Sequence, residues 1–249
     1  PNGDSFSFLL SALDGQKLVY VCARDYAGNV AGPVGSNTVY LDTEAPQNPT
    51  VVISGGDWQS DNTVALTLSA VDAEQMYIDG DVASSAHTFG WIDYETSIAD
   101  LALSAEDGLK TVRVRYRDEA GNETESVSDQ TQVDGTAPVM NSVLCSSCET
   151  VDDLLYAPDR TLSFDVLGSD EGGSGVEWVK IGLTGESSEA SILYGNVTEY
   201  TLPNDENVFS YSIDIWLVDY AGNVSGKETF SVNLDNSPPE IFGFEVTSA

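Results

Sequence analysis

The sequence predicts an all-β chain built from tandem β-sandwich domains, and three observations carry that prediction. The pentad D-x-A-G-N occurs three times, at Asp25–Asn29, Asp118–Asn122 and Asp219–Asn223, so its first residue recurs after 93 and then 101 positions. Each copy is followed 16 or 17 residues later by an Asp that opens a second signature, at Asp42, Asp134 and Asp235, with Pro46, Pro138 and Pro239 close behind. A period of roughly one hundred residues is the size of a small sandwich domain and too long for a solenoid repeat. Finally, the segments before each pentad alternate apolar and polar residues, the period of a half-buried strand, and no stretch offers convincing helical periodicity.

In chain order, the first signature arrives by residue 25, so residues 1–42 read as the second half of a domain. Residues 43–134 and 135–235 then read as complete domains and 236–249 as the start of another, an internal stretch of a longer array. Val19, Val21 and Ala23 are expected to face inward on the strand before the first pentad. Val64, Leu66, Leu68 and Ala70 form an early strand of the second domain. Ile98–Ala105 reads as a strand and loop. Val112, Val114 and Tyr116 alternate with Arg113, Arg115 and Arg117 in the best-patterned strand of the chain. Leu162, Phe164 and Val166 repeat the early strand in the third domain, and Ile213, Ile215 and Leu217 repeat the strand before the pentad. After each pentad comes a closing strand, marked by Val39 and Leu41, by Thr131 and Val133, and by Phe230, Val232 and Leu234. The pentad therefore turns the chain between the last two strands of each domain. Pro in the linkers is a rigid element that stops the first strand from extending backwards.

These residues resemble bacterial immunoglobulin-like domains, as strung together in giant secreted adhesins and other cell-surface stalk proteins. The resemblance rests on the inward-alternating strand ending in D-x-A-G-N, on the D-x-x-A-P linker, and on Asp170-Glu171-Gly172-Gly173-Ser174-Gly175-Val176 in the last complete domain. In the second domain that segment is replaced by Asp72-Ala73-Glu74-Gln75-Met76. The resemblance implies tandem immunoglobulin-like sandwiches in an extended rod, an extracellular or cell-surface location, and calcium at the linkers.

Composition points the same way. With 41 acidic against nine basic residues the formal charge is −32, a field that disfavours nucleic acid and anionic membranes and favours cations, although acidity also serves solubility alone. If the strand order is immunoglobulin-like, each linker collects acids from several places. The first set is Asp14, Asp42, Glu44, Asp72 and Asp118. The second is Asp107, Asp134, Asp170 and Asp219, with Asp205 and Asp235 available for a third. So many hard oxygen donors suit calcium, whereas the lone His87 cannot build a zinc site. For Asp25, Asp118 and Asp219 two roles stand open, ligand and turn cap, since Asp and Asn close turns by bonding their own backbone.

Catalysis is not expected. A Ser-His-Asp or Cys-His arrangement needs a His beside a nucleophile, and identical signatures repeated along a chain argue for structure. Partners are calcium ions and neighbouring repeats. Two further readings remain. One is a glycan- or protein-binding module using the loop aromatics Trp58, Trp91, Tyr94, Tyr194 and Tyr200, with Trp91–Tyr94 foremost. The other is a filament subunit whose incomplete first domain takes a strand from another chain. Cys145 and Cys148 are expected to form a local disulfide, and Cys22 lies outward on its strand, free or paired elsewhere. No signal peptide or membrane-spanning run is present in this stretch.

Overall fold

Alternating side chains need two apolar faces to meet, and the chain meets that need with strands throughout. The computed structural model describes residues 7–187, 189–204, 209–238, 240 and 242–243. In order, the strands are β1 (Gly15–Arg24), β2 (Val30–Leu41), β3 (Gln47–Ile53), β4 (Trp58–Gln59), β5 (Thr63–Val71), β6 (Gln75–Gly80), β7 (Trp91–Asp93), β8 (Ser97–Ala102), β9 (Gly108–Arg117) and β10 (Val127–Val133). There follow β11 (Val139–Cys145), β12 (Glu149–Val151), β13 (Leu154–Ala157), β14 (Thr161–Ser169), β15 (Val176–Leu183), β16 (Glu189–Leu193), β17 (Thr198–Thr201), β18 (Ser210–Asp219) and β19 (Glu228–Leu234). Among the described residues no helix is long and apolar enough to cross a membrane.

Two compact units divide the chain. The first comprises residues 1–54, 63–104 and 110–130, and the second comprises 55–62, 105–109 and 131–249. In the first, β5 lies between β3 and β8 in one antiparallel sheet, while β6 pairs with β7 on one side and β9 on the other in a second sheet. The predicted inward residues Val64, Leu66 and Leu68 are buried, as are Val112, Val114 and Tyr116 on β9. Tyr116 ties the two sheets together, its hydroxyl donating to the Thr50 carbonyl at 2.6 Å.

The same unit holds the β1–β2 ladder. Here the sequence expectation is corrected. Val21 is 62% exposed and Ala23 is exposed as well, because among the described residues no second sheet covers this ladder. Alternation marks which side chains share a face, but burial needs a facing layer.

In the second unit β14 lies between β11 and β17, and the other sheet runs β12-β13-β19-β18-β15-β16. Between them sits one core, with Leu162 and Phe164 from the first sheet against Val179, Ile181, Ile213, Ile215, Leu217 and Val232 from the second. A three-stranded sheet facing a sheet with consecutive hairpin strands at its centre is the immunoglobulin-like arrangement. The fold is thus all-β, a tandem of β-sandwiches. Trp216, in the outward register of β18, is only 9% exposed, and Lys227 Nζ lies 4.1 Å from the centroid of its ring. β4 pairs in parallel with the end of β10 through Trp58 and Gln59. The expected disulfide joins Cys145 and Cys148, while Cys22 is free and exposed.

Candidate metal centre

The D-x-A-G-N pentad folds the same way at all three positions. After β18, the Asp219 N–H donates to the Asn223 carbonyl at 3.2 Å, and Gly222, at φ 93°, takes the left-handed conformation that the turn requires. Asp219 then caps its own turn: Oδ1 accepts from Asn223 N at 2.8 Å and Oδ2 from Asn223 Nδ2 at 2.9 Å. Asp118 accepts from Asn122 N at 2.9 Å and Asn122 Nδ2 at 2.8 Å, and Asp25 from the same two groups of Asn29, both at 2.8 Å. At Asp118 burial pushes the carboxyl up, but the Asn122 side chain and the N–H groups of the turn outweigh it and hold the group below the usual carboxylate range. Asn29 does the same for the exposed Asp25.

Capping does not exhaust Asp219. In the second unit the side chain is 0% exposed and Asp134, just after β10, is 1% exposed. Asp134 Oδ1 accepts from Thr136 N at 3.0 Å and Oδ2 from Ser174 N at 2.6 Å. Asp170 comes from the loop between β14 and β15, where its carboxylate lies over Gly173. A Cβ there would meet Asp170 Oδ1 at 2.5 Å, so only glycine admits this packing. Asp170 Oδ2 accepts from Gly175 N at 2.7 Å. The result is a group of three carboxylates, Asp134, Asp170 and Asp219, each offering an oxygen within 4.8 Å of the others.

Like charges so close demand compensation. Burial pushes the Asp170 carboxyl above its usual value, and the charges of Asp134 and Asp219 push the same way against the pull of the Gly175 and Ser174 N–H groups. Oxygen-only donors of this kind fit a hard cation such as calcium and not zinc.

The other predicted acids stand as follows. Asp107 accepts from Gly135 N at 3.1 Å and Thr136 Oγ1 at 3.2 Å, binding the linker rather than joining the trio. Asp14 repeats that contact in the first unit, taking Thr43 N at 3.1 Å and Thr43 Oγ1 at 2.9 Å. Asp42 caps Glu44 N at 3.1 Å, Glu44 itself is exposed, and Asp72 is exposed at φ 68°. Asp235 accepts from Ser237 N at 3.3 Å, and Asp205 lies outside the described residues. Among the described residues only Asp134, Asp170 and Asp219 gather as a group of three. Loop length explains the contrast: residues 170–175 connect β14 to β15, whereas only residues 72–74 connect β5 to β6.

Sequence reasoning missed the reach of the pentad Asn. Asn223 Nδ2 also donates to the Asp134 carbonyl at 2.7 Å, and Asn122 Nδ2 to the Asp42 carbonyl at 3.2 Å. The recurrence of Asn at the pentad's last position was the available signal. Several aromatics read as loop residues prove to be structural. The Tyr94 hydroxyl accepts from Ala70 N at 3.2 Å, and the Tyr194 hydroxyl both accepts from Gly168 N at 2.8 Å and donates to Gly168 O at 2.9 Å, so each covers the edge of an early strand. Trp58 and Tyr200 lie within β4 and β17.

No family model matches the chain, and no curated protein matches it. Among solved structures it is similar to the fibronectin(III)-like modules of Clostridium thermocellum CbhA, with 11% identity over 79% of this chain and 100% of that one, at a TM-score of 0.48. A Ca2+-stabilized adhesin that helps an Antarctic bacterium reach out and bind ice shares 19% identity over 89% of this chain and 57% of that one, at 0.38. The C-terminal 282-residue fragment of intimin, solved with the intimin-binding domain of its translocated receptor, shares 9% over 76% and 64%, also at 0.38. Likeness at these values carries no functional argument, and the sandwich assignment rests on the strand pairing itself.

Proposed function

We propose that the chain is a non-catalytic spacer of a bacterial surface or secreted adhesin, an array of immunoglobulin-like sandwiches in which calcium stiffens a linker. The domains run over 43–134 and 135–235, with a partial domain on either side. The observation that supports this reading is the Asp134–Asp170–Asp219 group, because its carboxylates come from a linker, a loop and a turn and lie within 4.8 Å of one another. One cation there neutralises three converging charges and couples three separate pieces of backbone. Calcium takes six to eight oxygens at about 2.3–2.6 Å. Three carboxylates leave room for main-chain carbonyls and water. The linker at Asp42 lacks an equivalent group among the described residues, so one ion is expected for residues 43–235.

Small-angle X-ray scattering with millimolar calcium and again with chelator, alongside calorimetric titration, tests the proposal. A long, stiff profile that shortens and broadens on chelation, with calcium bound at least stoichiometrically, is the expected result. Identical profiles in both conditions, or an affinity unchanged in Asp170→Asn, would overturn it and leave the three carboxylates as turn and linker caps.

A further inference from the structure

The outer face of the sheet β7-β6-β9 gathers cations in a chain that has few. Of nine Lys and Arg residues, three stand at alternate positions of β9: Arg113, Arg115 and Arg117. The register sets them opposite Asp79, Tyr77 and Gln75 on β6, and Trp91 and Asp93 follow on β7. Arg115 lies 4.7 Å from the Tyr77 ring centroid and Arg117 4.3 Å from that of Trp91. Each guanidinium makes one hydrogen bond among the described residues: Arg113 Nε to Asp79 at 2.7 Å, Arg115 Nη1 to Glu123 at 3.4 Å, and Arg117 Nε to Gln75 at 2.7 Å. A guanidinium has five N–H donors, so most remain unspent, and the Arg113 and Arg115 side chains are 54% and 38% exposed.

The second unit shows what this face looks like when it is only packing. Its Trp216 is buried beneath Lys227, and Asp214 Oδ1 is taken by both Thr184 Oγ1 and Thr229 Oγ1 at 2.8 Å. There the ring is covered and both Asp214 oxygens are occupied. On the first unit the guanidinium donors are held in place by stacking and left open.

We propose that this open face of the first unit, centred on Tyr77, Trp91 and the three arginines, binds an uncharged polysaccharide. Charge selects the ligand. Arg113 pairs with Asp79 and Arg115 with Glu123, Asp93 lies opposite Gln75 beside them, and Asp81 also acts on Arg113, so the three guanidiniums leave no excess of positive charge within a molecule of net charge −32. A polyanion would meet those carboxylates and the acidic surface around them, and a second copy of the chain would bring its own −32. Sugar hydroxyls, by contrast, both donate and accept, matching guanidinium N–H groups and carboxylate oxygens, while sugar C–H faces suit the exposed parts of the rings. Arg113 to Arg117 spans about 13 Å along the strand, which suits an extended chain of sugar rings. Stacking on the aromatics also lowers the entropy lost when the arginines engage a ligand.

Affinity electrophoresis of the 249-residue chain in gels containing laminarin, dextran or galactomannan, with alginate as the acidic control, tests this in calcium and in chelator. The expected result is retardation by at least one uncharged polysaccharide in both buffers, and none by alginate. Trp91→Ala and the double variant Arg115→Gln/Arg117→Gln should each weaken it about ten-fold or more, the scale of a lost aromatic or Arg anchor. Lys227→Gln, on the closed face, should leave it unchanged. Retardation by no uncharged polysaccharide, by alginate alone, or undiminished in both variants overturns the proposal. If Trp91→Ala fails to fold by circular dichroism, the double arginine variant decides. Because binding is read in chelator as well, its failure is separable from failure of the calcium reading.

Discussion

Asn223 shows how much one side chain of the pentad does. Its Nδ2 serves both the Asp219 carboxylate and the Asp134 carbonyl, and both acceptors lie among buried groups. Asn223→Ala leaves them short of a donor, an effect of about 1–3 kcal/mol. Thermal or urea unfolding in chelator should show that loss, with a smaller one for Asn29→Ala, whose partner Asp25 is exposed. Asp214 supplies a pH signature. The Thr184 hydroxyl, against the effect of burial and helped by Thr229 and Lys227, holds its carboxyl below the ordinary 3.8. A lowered folded-state pKa contributes stability that is complete above pH of about 4 and is lost as pH falls through the folded value. In Asp214→Asn, acid unfolding of the second unit should therefore lose part of its steepness below pH of about 4, with lower stability at neutral pH, as followed by near-UV circular dichroism. The turn role of Asp and Asn was legible in the sequence because it is local chemistry. The second bond of Asn122 and of Asn223 was not, because its acceptor lies 80 or 89 residues away.

At the level of elements, strand identity was the most legible feature. Val112, Val114 and Tyr116 on β9 and Ile213, Ile215 and Leu217 on β18 are all fully buried, as period-two alternation required. The same alternation overstated burial on β1, since a strand pattern contains no information about whether a facing sheet exists. Loop geometry was legible only in part. The glycines of residues 170–176 announced a turn, but that Gly173 makes room for a carboxylate follows only from the folded loop. Gly173→Ala is expected to leave the unit folded, since the clash involves a side chain that can swing away. It should displace Asp170 and weaken calcium binding about ten-fold, read by isothermal titration calorimetry beside an unfolding curve. An unchanged affinity would mean that Asp170 is not a ligand.

Across the whole molecule, acidity is spread over a small framework of ion pairs. The sequence placed Asp134, Asp170 and Asp219 at one linker together with Asp107, but not that the first set stays dispersed, because convergence depends on the length of connections such as residues 72–74 and 170–175. With a net charge of −32, self-repulsion opposes folding and is screened by salt. Raising sodium chloride from about 0.01 to 0.15 M shrinks the screening length from about 30 to 8 Å. The melting temperature in chelator should rise accordingly, and saturating calcium should make it less sensitive to sodium chloride. A melting temperature independent of salt in chelator would show that the charges are already compensated within the fold.

The linker bonds also differ from the strand ladders in how they would carry load in the proposed spacer. Asp134 is held by isolated bonds to Gln59, Ser174 and Asn223, whereas β18 and β19 pair over six registered positions. Isolated bonds fail at lower force than a ladder loaded across all its rungs. In the spacer proposed above, a pulled chain should therefore give up the Asp134 contacts first, while the core of the second unit stays intact.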